Sequence, residues 1–225
     1  MLTAFGPLVA LIPAQRRVPG VLLFLSLLLS GAAAHAAVEL PTGYYHQSTD
    51  DLVVKVLGGH VRLKRTWYEG EWHFTRAWNA LSFEYDALDG SVKRIERNRD
   101  VYTRSANDPD LFFFDARLTV RKTAEGYRWA DRKGNWIDYD ASGRVVRYGE
   151  RNGVGVRLTY DEQGRRSGVF DHHGRQVLWY AYDGEGRLGA VHDASTPSAR
   201  RVEYHYSDGR LTEVIDVLGE SWRYA

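Results

Sequence analysis

The stretch YDASGRVVRYGERNGVGVRLTYDEQGR, residues 139–165, decides the fold, because it carries the motif Tyr-Asp-x-x-Gly-Arg at both of its ends. A third copy occupies residues 182–187, and a copy shortened by one residue, Tyr-Ser-Asp-Gly-Arg, occupies residues 206–210. The tyrosines of successive copies stand 21, 22 and 24 residues apart. A motif that returns at a nearly constant interval indicates a structural unit repeated in tandem. The repeated positions are Tyr139, Asp140, Gly143, Arg144, Tyr160, Asp161, Gly164, Arg165, Tyr182, Asp183, Gly186, Arg187, Tyr206, Gly209 and Arg210.

The physical chemistry of one unit predicts a β-hairpin. Asp in the first position and Gly in the fourth suit a type I turn, in which the Asp side chain caps backbone N–H groups. Apolar residues alternate before the turn, as at Val156, Leu158 and Tyr160, which is typical of a strand with one buried face. A second turn, an acid followed three residues later by Gly, begins at Asp131 ahead of the first copy, and at Glu150, Asp171 and Asp216 after the first, second and fourth copies. Stacked hairpins can share a continuous buried face, which a lone hairpin lacks.

An arginine follows the glycine in every copy. We expect each of these arginines to pair with a neighbouring Asp or to stack on a neighbouring Tyr. The alternative is a functional ladder of arginines that binds an anionic polymer.

The first half of the chain also predicts β-structure, without a regular repeat. Residues 52–57 and 61–65 flank Gly58-Gly59 and form a plain hairpin pattern. Further short strands are predicted at residues 81–85, 92–96, 111–114 and 118–121, and no segment has a sustained helical period. The run Leu-Phe-Phe-Phe at 111–114 would promote aggregation if exposed, so we expect it to be central and covered. Most of the aromatic surface of Trp67, Trp72, Phe74 and Trp78 is expected in the core, with a partner surface as the alternative.

These patterns divide the chain into three parts and predict an all-β fold, with antiparallel hairpin repeats forming a curved sheet strip. Residues 1–37 resemble a signal peptide, with Arg16-Arg17, an apolar run and small residues before position 38. Residues 38–126 form an irregular β region, and residues 127–225 form the repeat array. The mature protein is expected to be secreted, periplasmic or on the cell surface. An uncleaved anchor is the alternative, and only in that case would this segment attach the protein to a membrane.

Composition excludes several kinds of site. The chain has no Cys, so it has neither disulfides nor thiolate metal ligands. Residues 1–37 hold two arginines and no acid, so the remainder has 28 basic and 29 acidic residues and no basic field to attract nucleic acid.

The motif and its secondary turns resemble those of the Rhs/YD-repeat family over residues 127–225. The segment 51–85 is similar to the region before the repeats in bacterial members, through Gly58-Gly59, Arg65-Thr-Trp67 and Trp78. The resemblance implies a β-strip that spirals into a hollow shell around a C-terminal toxin domain, so further repeats or a toxin domain are the implied partners. The chain has only about four repeats and stops within the opening strand of a fifth, so we expect an N-terminal fragment or a truncated gene product.

No recognisable chemistry accompanies the repeats, and we expect no enzyme, no cofactor and no metal site. The family's self-cleavage site is an Asp-Pro followed by glycines, whereas Asp108-Pro109 precedes the repeats and is expected to be a turn. His172-His173 lies within a repeat turn and has no Cys or third His nearby. Two functions therefore remain open: a structural scaffold, and a module that binds glycans or a cell surface.

Overall fold

The computed structural model describes residues 34–39, 44–75, 78–195 and 198–224, with side chains described from His46 onward. Most of the predicted signal peptide, residues 1–33, lies outside the described residues. The described residues form antiparallel strands and no α-helix, so none of their segments is a helix able to cross a membrane. The strands are β1 (Ala34–Glu39), β2 (Tyr44–Val56), β3 (Gly59–Tyr68), β4 (Glu71–Phe74), β5 (Ser82–Tyr85), β6 (Val92–Arg97), β7 (Asp100–Arg104), β8 (Leu111–Asp115), β9 (Leu118–Lys122), β10 (Gly126–Asp131), β11 (Trp136–Asp140), β12 (Val145–Gly149), β13 (Gly155–Tyr160), β14 (Arg166–Phe170), β15 (Gln176–Tyr182), β16 (Leu188–Asp193), β17 (Arg201–Ser207), β18 (Arg210–Ile215) and β19 (Ser221–Arg223).

The strands belong to two sheets in which every strand pairs with its neighbours in sequence. The short sheet has the order β1-β2-β3-β4, and the long sheet runs from β5 to β19 without a crossover. This arrangement confirms the predicted all-β class and the antiparallel hairpins. It follows from the sequence because most strands are short and most are joined by a tight turn that returns the chain beside itself.

One face of the long sheet packs against the short sheet, and we call it the inner face. Leu52, Val61 and Leu63 of the short sheet share one hydrophobic cluster with side chains from nearly every strand of the long sheet, including Leu178 and Val202. All five are almost fully buried. The alternation predicted before each turn therefore places the apolar side chains on the covered face.

Hydrogen bonds between residues far apart in sequence join the two sheets, and they also join the segment between β4 and β5 to the long sheet. The Arg200 guanidinium donates to the Val53 carbonyl at 2.9 Å. The backbone N–H of Leu81 donates to the carbonyl of Gly143 at 2.7 Å. The irregular first half and the repeat array thus form one packed structure.

The predicted hairpin in the first half is confirmed, with its turn displaced by one residue. Gly59 pairs with Val56, so the connecting residues are Leu57 and Gly58 rather than Gly58-Gly59. Gly58 takes the positive φ of 84° that this turn needs.

The expectation that residues 111–114 are covered is wrong in part. They lie in β8, between β7 and β9, so they are central in the sheet. Phe112 is only 2% exposed, but Phe113 and Phe114 are 42% and 49% exposed. Phe113 neighbours Phe112 in an alternating strand and therefore points to the opposite, outer face, which the short sheet does not cover.

The aromatic residues after β3 contribute to the core, as predicted. Trp78 is 5% exposed, and Trp72 and Phe74 pack against the core cluster. Residues 34–37, the end of the predicted signal peptide, belong to β1 and pair with β2. Cleavage after residue 37 would remove most of that strand.

Candidate functional site

The three full copies of the motif form the same capped turn. In the second copy the Asp161 carboxylate accepts hydrogen bonds from the N–H groups of Gln163 and Arg165, at 3.1 and 2.8 Å. The N–H of Gly164 donates to the Asp161 carbonyl at 2.9 Å, and Gly164 has a φ of 76°. The positive φ explains the glycine, and the side-chain cap explains the aspartate. The first and third copies have the same bonds, centred on Asp140 and Asp183.

Each arginine of the three full copies has two partners, one in its own copy and one in the next. Arg165 donates from Nε to the second carboxylate oxygen of Asp161 at 2.8 Å. Its guanidinium lies 4.6 Å from the centre of the Tyr182 ring. The Tyr182 hydroxyl donates to the carbonyl of Arg166 at 2.9 Å, which closes the link between the copies. We call this chain of contacts the repeat ladder.

The repeat ladder continues through the array with the same geometry. Arg144 lies 5.2 Å from the centre of the Tyr160 ring, and Arg187 lies 4.7 Å from the centre of the Tyr206 ring. At the start, the Tyr139 hydroxyl accepts a hydrogen bond of 2.8 Å from Arg97, which lies outside the motif. Both contacts proposed from the sequence, with Asp and with Tyr, are therefore present in the same arginine.

The electrostatics of the turns keep their carboxylates charged. The hydrogen bond from Arg187, with those from backbone N–H groups, lowers the pKa of Asp183. Burial pushes the pKa of Asp140 upward, but hydrogen bonds from Ser142 and Arg144 outweigh it and leave that pKa lowered.

The fourth, shortened copy forms a different turn. Ser207 pairs with Arg210, and the two residues between them, Asp208 and Gly209, have φ values of 51° and 77°. Positive φ at both central residues defines a type I′ hairpin turn. Arg210 has no ion pair or ring contact with any described residue, unlike the arginines of the three full copies.

A cleft of about 1230 Å³ opens beside this turn, between the short sheet and the β17–β18 hairpin. Its aromatic wall is rigid: the Trp67 and Trp72 rings meet edge to face at 5.3 Å, and the Trp72 and Tyr224 rings at 5.1 Å. Glu71, Asp208 and Arg210 supply charged groups to the same cleft. We call it the aromatic cleft.

A buried ion pair lies behind this wall and was not foreseen from the sequence. Arg65 donates to the Asp51 carboxylate at 3.1 Å, and both side chains are 3% exposed. Tyr204 of the long sheet donates to the other Asp51 oxygen at 2.8 Å, and Arg65 donates to the Tyr224 hydroxyl at 2.7 Å. Burial raises the pKa of Asp51 to about 6, against the opposing effect of Arg65. No sequence signal distinguishes Asp51, because its partners lie 14 and 153 residues away.

The remaining sequence candidates lie in turns. The N–H of Leu111 donates to the Asp108 carbonyl across Pro109, and Asp108 pairs with Arg121. His172 and His173 occupy the turn capped by Asp171. Across the described ranges, no three His, Asp or Glu side chains gather as metal ligands.

Comparison with known proteins gives one sequence relative. No protein-family model matches the chain. Double-stranded DNA deaminase toxin A of Burkholderia cenocepacia (strain H111) is 30% identical over 139 residues, which cover 61% of this chain and 10% of that protein. The chain therefore spans about a tenth of the length of this curated relative.

Two solved structures show only a distant likeness. The crystal structure of TcdB2-TccC3-TEV is 12% identical, covers 82% of this chain and 11% of that one, and has a TM-score of 0.22. The Photorhabdus luminescens Tc holotoxin pore is 11% identical, with the same coverages and the same TM-score. Scores this low carry no argument, so the likeness to a toxin protein rests on the sequence match.

Proposed function

We propose that this chain is a structural scaffold of the Rhs/YD-repeat type, the opening part of a β-shell around a C-terminal toxin domain. The observation that carries the proposal is the repeat ladder. Each arginine of the three full copies links its own turn to the tyrosine of the next copy, so these contacts join neighbouring hairpins of the sheet.

Two further observations support a scaffold. The long sheet grows by one hairpin at a time with no crossover, so it can be extended without changing what precedes it. The chain is 30% identical to a stretch that makes up 10% of a toxin protein, which supports a relation to one segment of such a protein. The proposal includes export from the cytoplasm and further repeats or a toxin domain as partners. It assigns the chain no catalytic role, no cofactor and no nucleic-acid partner.

Limited proteolysis of the natural gene product tests the scaffold. We expect a protease-resistant β body that retains a separately cleaved C-terminal domain during size-exclusion chromatography. A product in which no second domain elutes with the β body would contradict the shell. Reading the DNA after codon 225 gives an independent check, because a shell requires in-frame repeats there.

The aromatic cleft favours a second candidate function, the binding of glycans. Sugar rings present apolar faces that pack on aromatic side chains, and their hydroxyls bond with charged groups such as Asp208 and Arg210. Glycan-array binding that is lost in Trp67→Ala and kept in Trp222→Ala would support this candidate, because Trp222 lies outside the cleft lining. Equal binding by both variants would exclude the cleft as the site.

A further inference from the structure

A smaller pocket, of about 490 Å³, lies where the turns of the first and second copies meet the residues that follow β4. Its volume is within the range of small-molecule sites. Three arginines line it, Arg144, Arg165 and Arg166, and none of its lining residues is Asp or Glu. The described part of its wall is therefore cationic, although the chain as a whole is nearly neutral.

Tyr180 lines this pocket, and its buried hydroxyl has no hydrogen-bond partner among the described residues. The neighbouring Tyr160 and Tyr182 differ, because their hydroxyls donate to the carbonyls of Val145 and Arg166. Burial raises the pKa of Tyr180 far above its usual value, so the hydroxyl keeps its proton and can act as a donor. A buried donor without an acceptor is unfavourable, and a ligand that supplies the acceptor would relieve this cost.

Arg166 supplies a positive charge that no described carboxylate neutralises. It donates to the carbonyls of Phe74 and Trp78 at 3.3 and 3.2 Å, and its guanidinium lies 5.3 Å from the centre of the Trp78 ring. Arg144 and Arg165 are each paired with an Asp of their own turn. The pocket thus offers one uncompensated cation, a hydroxyl donor and aromatic walls.

We propose that this pocket binds the carboxylate of a small organic acid, with Tyr180 and Arg166 as its hydrogen-bond donors. A guanidinium and a carboxylate have matching geometry, and a single negative charge matches the one free cation among the pocket's described residues. The rings of Trp72, Trp78 and Tyr182 receive the body of the acid. The site is independent of the scaffold proposal, because it requires only residues of this chain.

Calorimetric titration of the full chain with matched probes tests the site. The probes are benzoate and glucuronate, each paired with an uncharged analogue, benzamide and glucose. We expect a carboxylate to bind and its uncharged analogue to fail. Binding of benzoate alone would assign an apolar acid as the ligand, and binding of glucuronate alone an acidic sugar. Equal binding of the charged and uncharged members, or no binding by any probe, would overturn the proposal.

One single variant and one matched pair of variants separate the site from the fold. Tyr180→Phe deletes only the unpaired hydroxyl, so we expect an unchanged fold and affinity about tenfold weaker, the loss typical of one hydrogen bond to a charged group. Arg165→Gln and Arg187→Gln remove the same ladder contacts, but only Arg165 lines the pocket. We expect both to lower the melting temperature alike and only Arg165→Gln to weaken binding, because it leaves the negative charge of Asp161 without its cation beside the pocket. Unchanged affinity in both Tyr180→Phe and Arg165→Gln would refute the assignment.

Discussion

The arginine of each full motif binds the aspartate of its own turn and packs on the tyrosine of the next copy. These two contacts explain why the motif needs Asp, Gly, Arg and Tyr together: the first two shape the turn and the last two join it to its neighbour. Exposed ion pairs and cation–π contacts contribute only about 0.5–1 kcal/mol each to stability. Their total contribution is larger because they are repeated along the array. Gly164 of the second copy and the buried Asp51 each allow a test by substitution of a single residue.

Replacing Gly164 with Val should lower the free energy of unfolding by about 1–3 kcal/mol, because a β-branched residue resists positive φ. Gly164 has a φ of 76°, whereas the nearby Gly184 has no positive φ and no atom close to where a Cβ would be placed. Gly184→Val is therefore the matched control and should have little effect. Urea denaturation of both variants measures the difference, and equal losses would contradict the turn assignment.

The pH dependence of stability should report the buried Asp51. Because burial raises its pKa to about 6 in the folded state, from 3.8, the folded protein holds this proton more tightly than the unfolded chain. Its contribution to stability therefore declines as pH rises from about 4 to above 6, by on the order of 3 kcal/mol.

Asp51→Asn should remove that decline, while all other groups titrate as before. The melting temperatures of the unsubstituted protein and of Asp51→Asn should be measured from pH 4 to 8. The difference between them should become smaller as the pH falls, because a protonated Asp51 is neutral like Asn. Parallel curves over the whole range would show that Asp51 does not titrate there.

At the scale of elements, the hairpins differ in the type of turn that connects their strands and in the residues that pack against them. The full motifs use an Asp-capped turn with one positive-φ glycine, while the shortened copy uses a type I′ turn and leaves Arg210 without an ion pair among the described residues. β19 pairs with β18 alone in the described sheet, and Trp222 is 52% exposed. Tyr224, directly after this strand, packs on Trp72 and accepts a hydrogen bond from Arg65. The last strand is thus held by the short sheet as well as by its own neighbour.

A chain ending at Gly219 should be less stable than the full chain by about 1–3 kcal/mol, because it loses the Tyr224 ring contact and the acceptor for a buried arginine. Trp222→Ala in the full chain is the control, since that side chain is half exposed and should contribute little. Thermal unfolding and light scattering would compare the three proteins. Equal or improved behaviour after trimming would mean that the last strand frays or promotes self-association.

At the scale of the whole molecule, the short sheet turns an open strip into a structure with a shared core. The cluster formed by its apolar residues and the inner face extends over both sheets, so we expect them to unfold together. The buried Asp51–Arg65 pair lies at this contact and is bonded to Tyr204 of the long sheet.

Arg65→Leu should cost about 3–5 kcal/mol, because it leaves the Asp51 carboxylate buried without its cation. Asp51→Leu combined with Arg65→Leu should cost clearly less than the sum of the two single changes, since neither charge is then left alone. Guanidinium denaturation of the four proteins gives the coupling energy. Additive effects would mean that the pair does not stabilise the contact between the sheets.

Local sequence was sufficient for the hairpins of the array. The Asp and Gly of each turn and the alternation at Val156 and Leu158 act within a few residues, so strand type, turn position and buried face could all be read from them. The hairpin in the first half was also predicted from local sequence, and its turn at Leu57-Gly58 differs from the predicted Gly58-Gly59 by one residue.

Only the tertiary structure decided what the array packs against. Phe113 is exposed because it points to the outer face, which the short sheet does not cover. The hydroxyl that binds Asp51 comes from Tyr204, 153 residues away. Periodicity records which face of a strand is apolar, but it carries no information about which distant surface covers that face. The sequence by itself therefore determined a ladder of antiparallel hairpins. The buried ion pair, the aromatic cleft and the cationic pocket arise from the contact between two sheets, whose geometry is set by long-range packing.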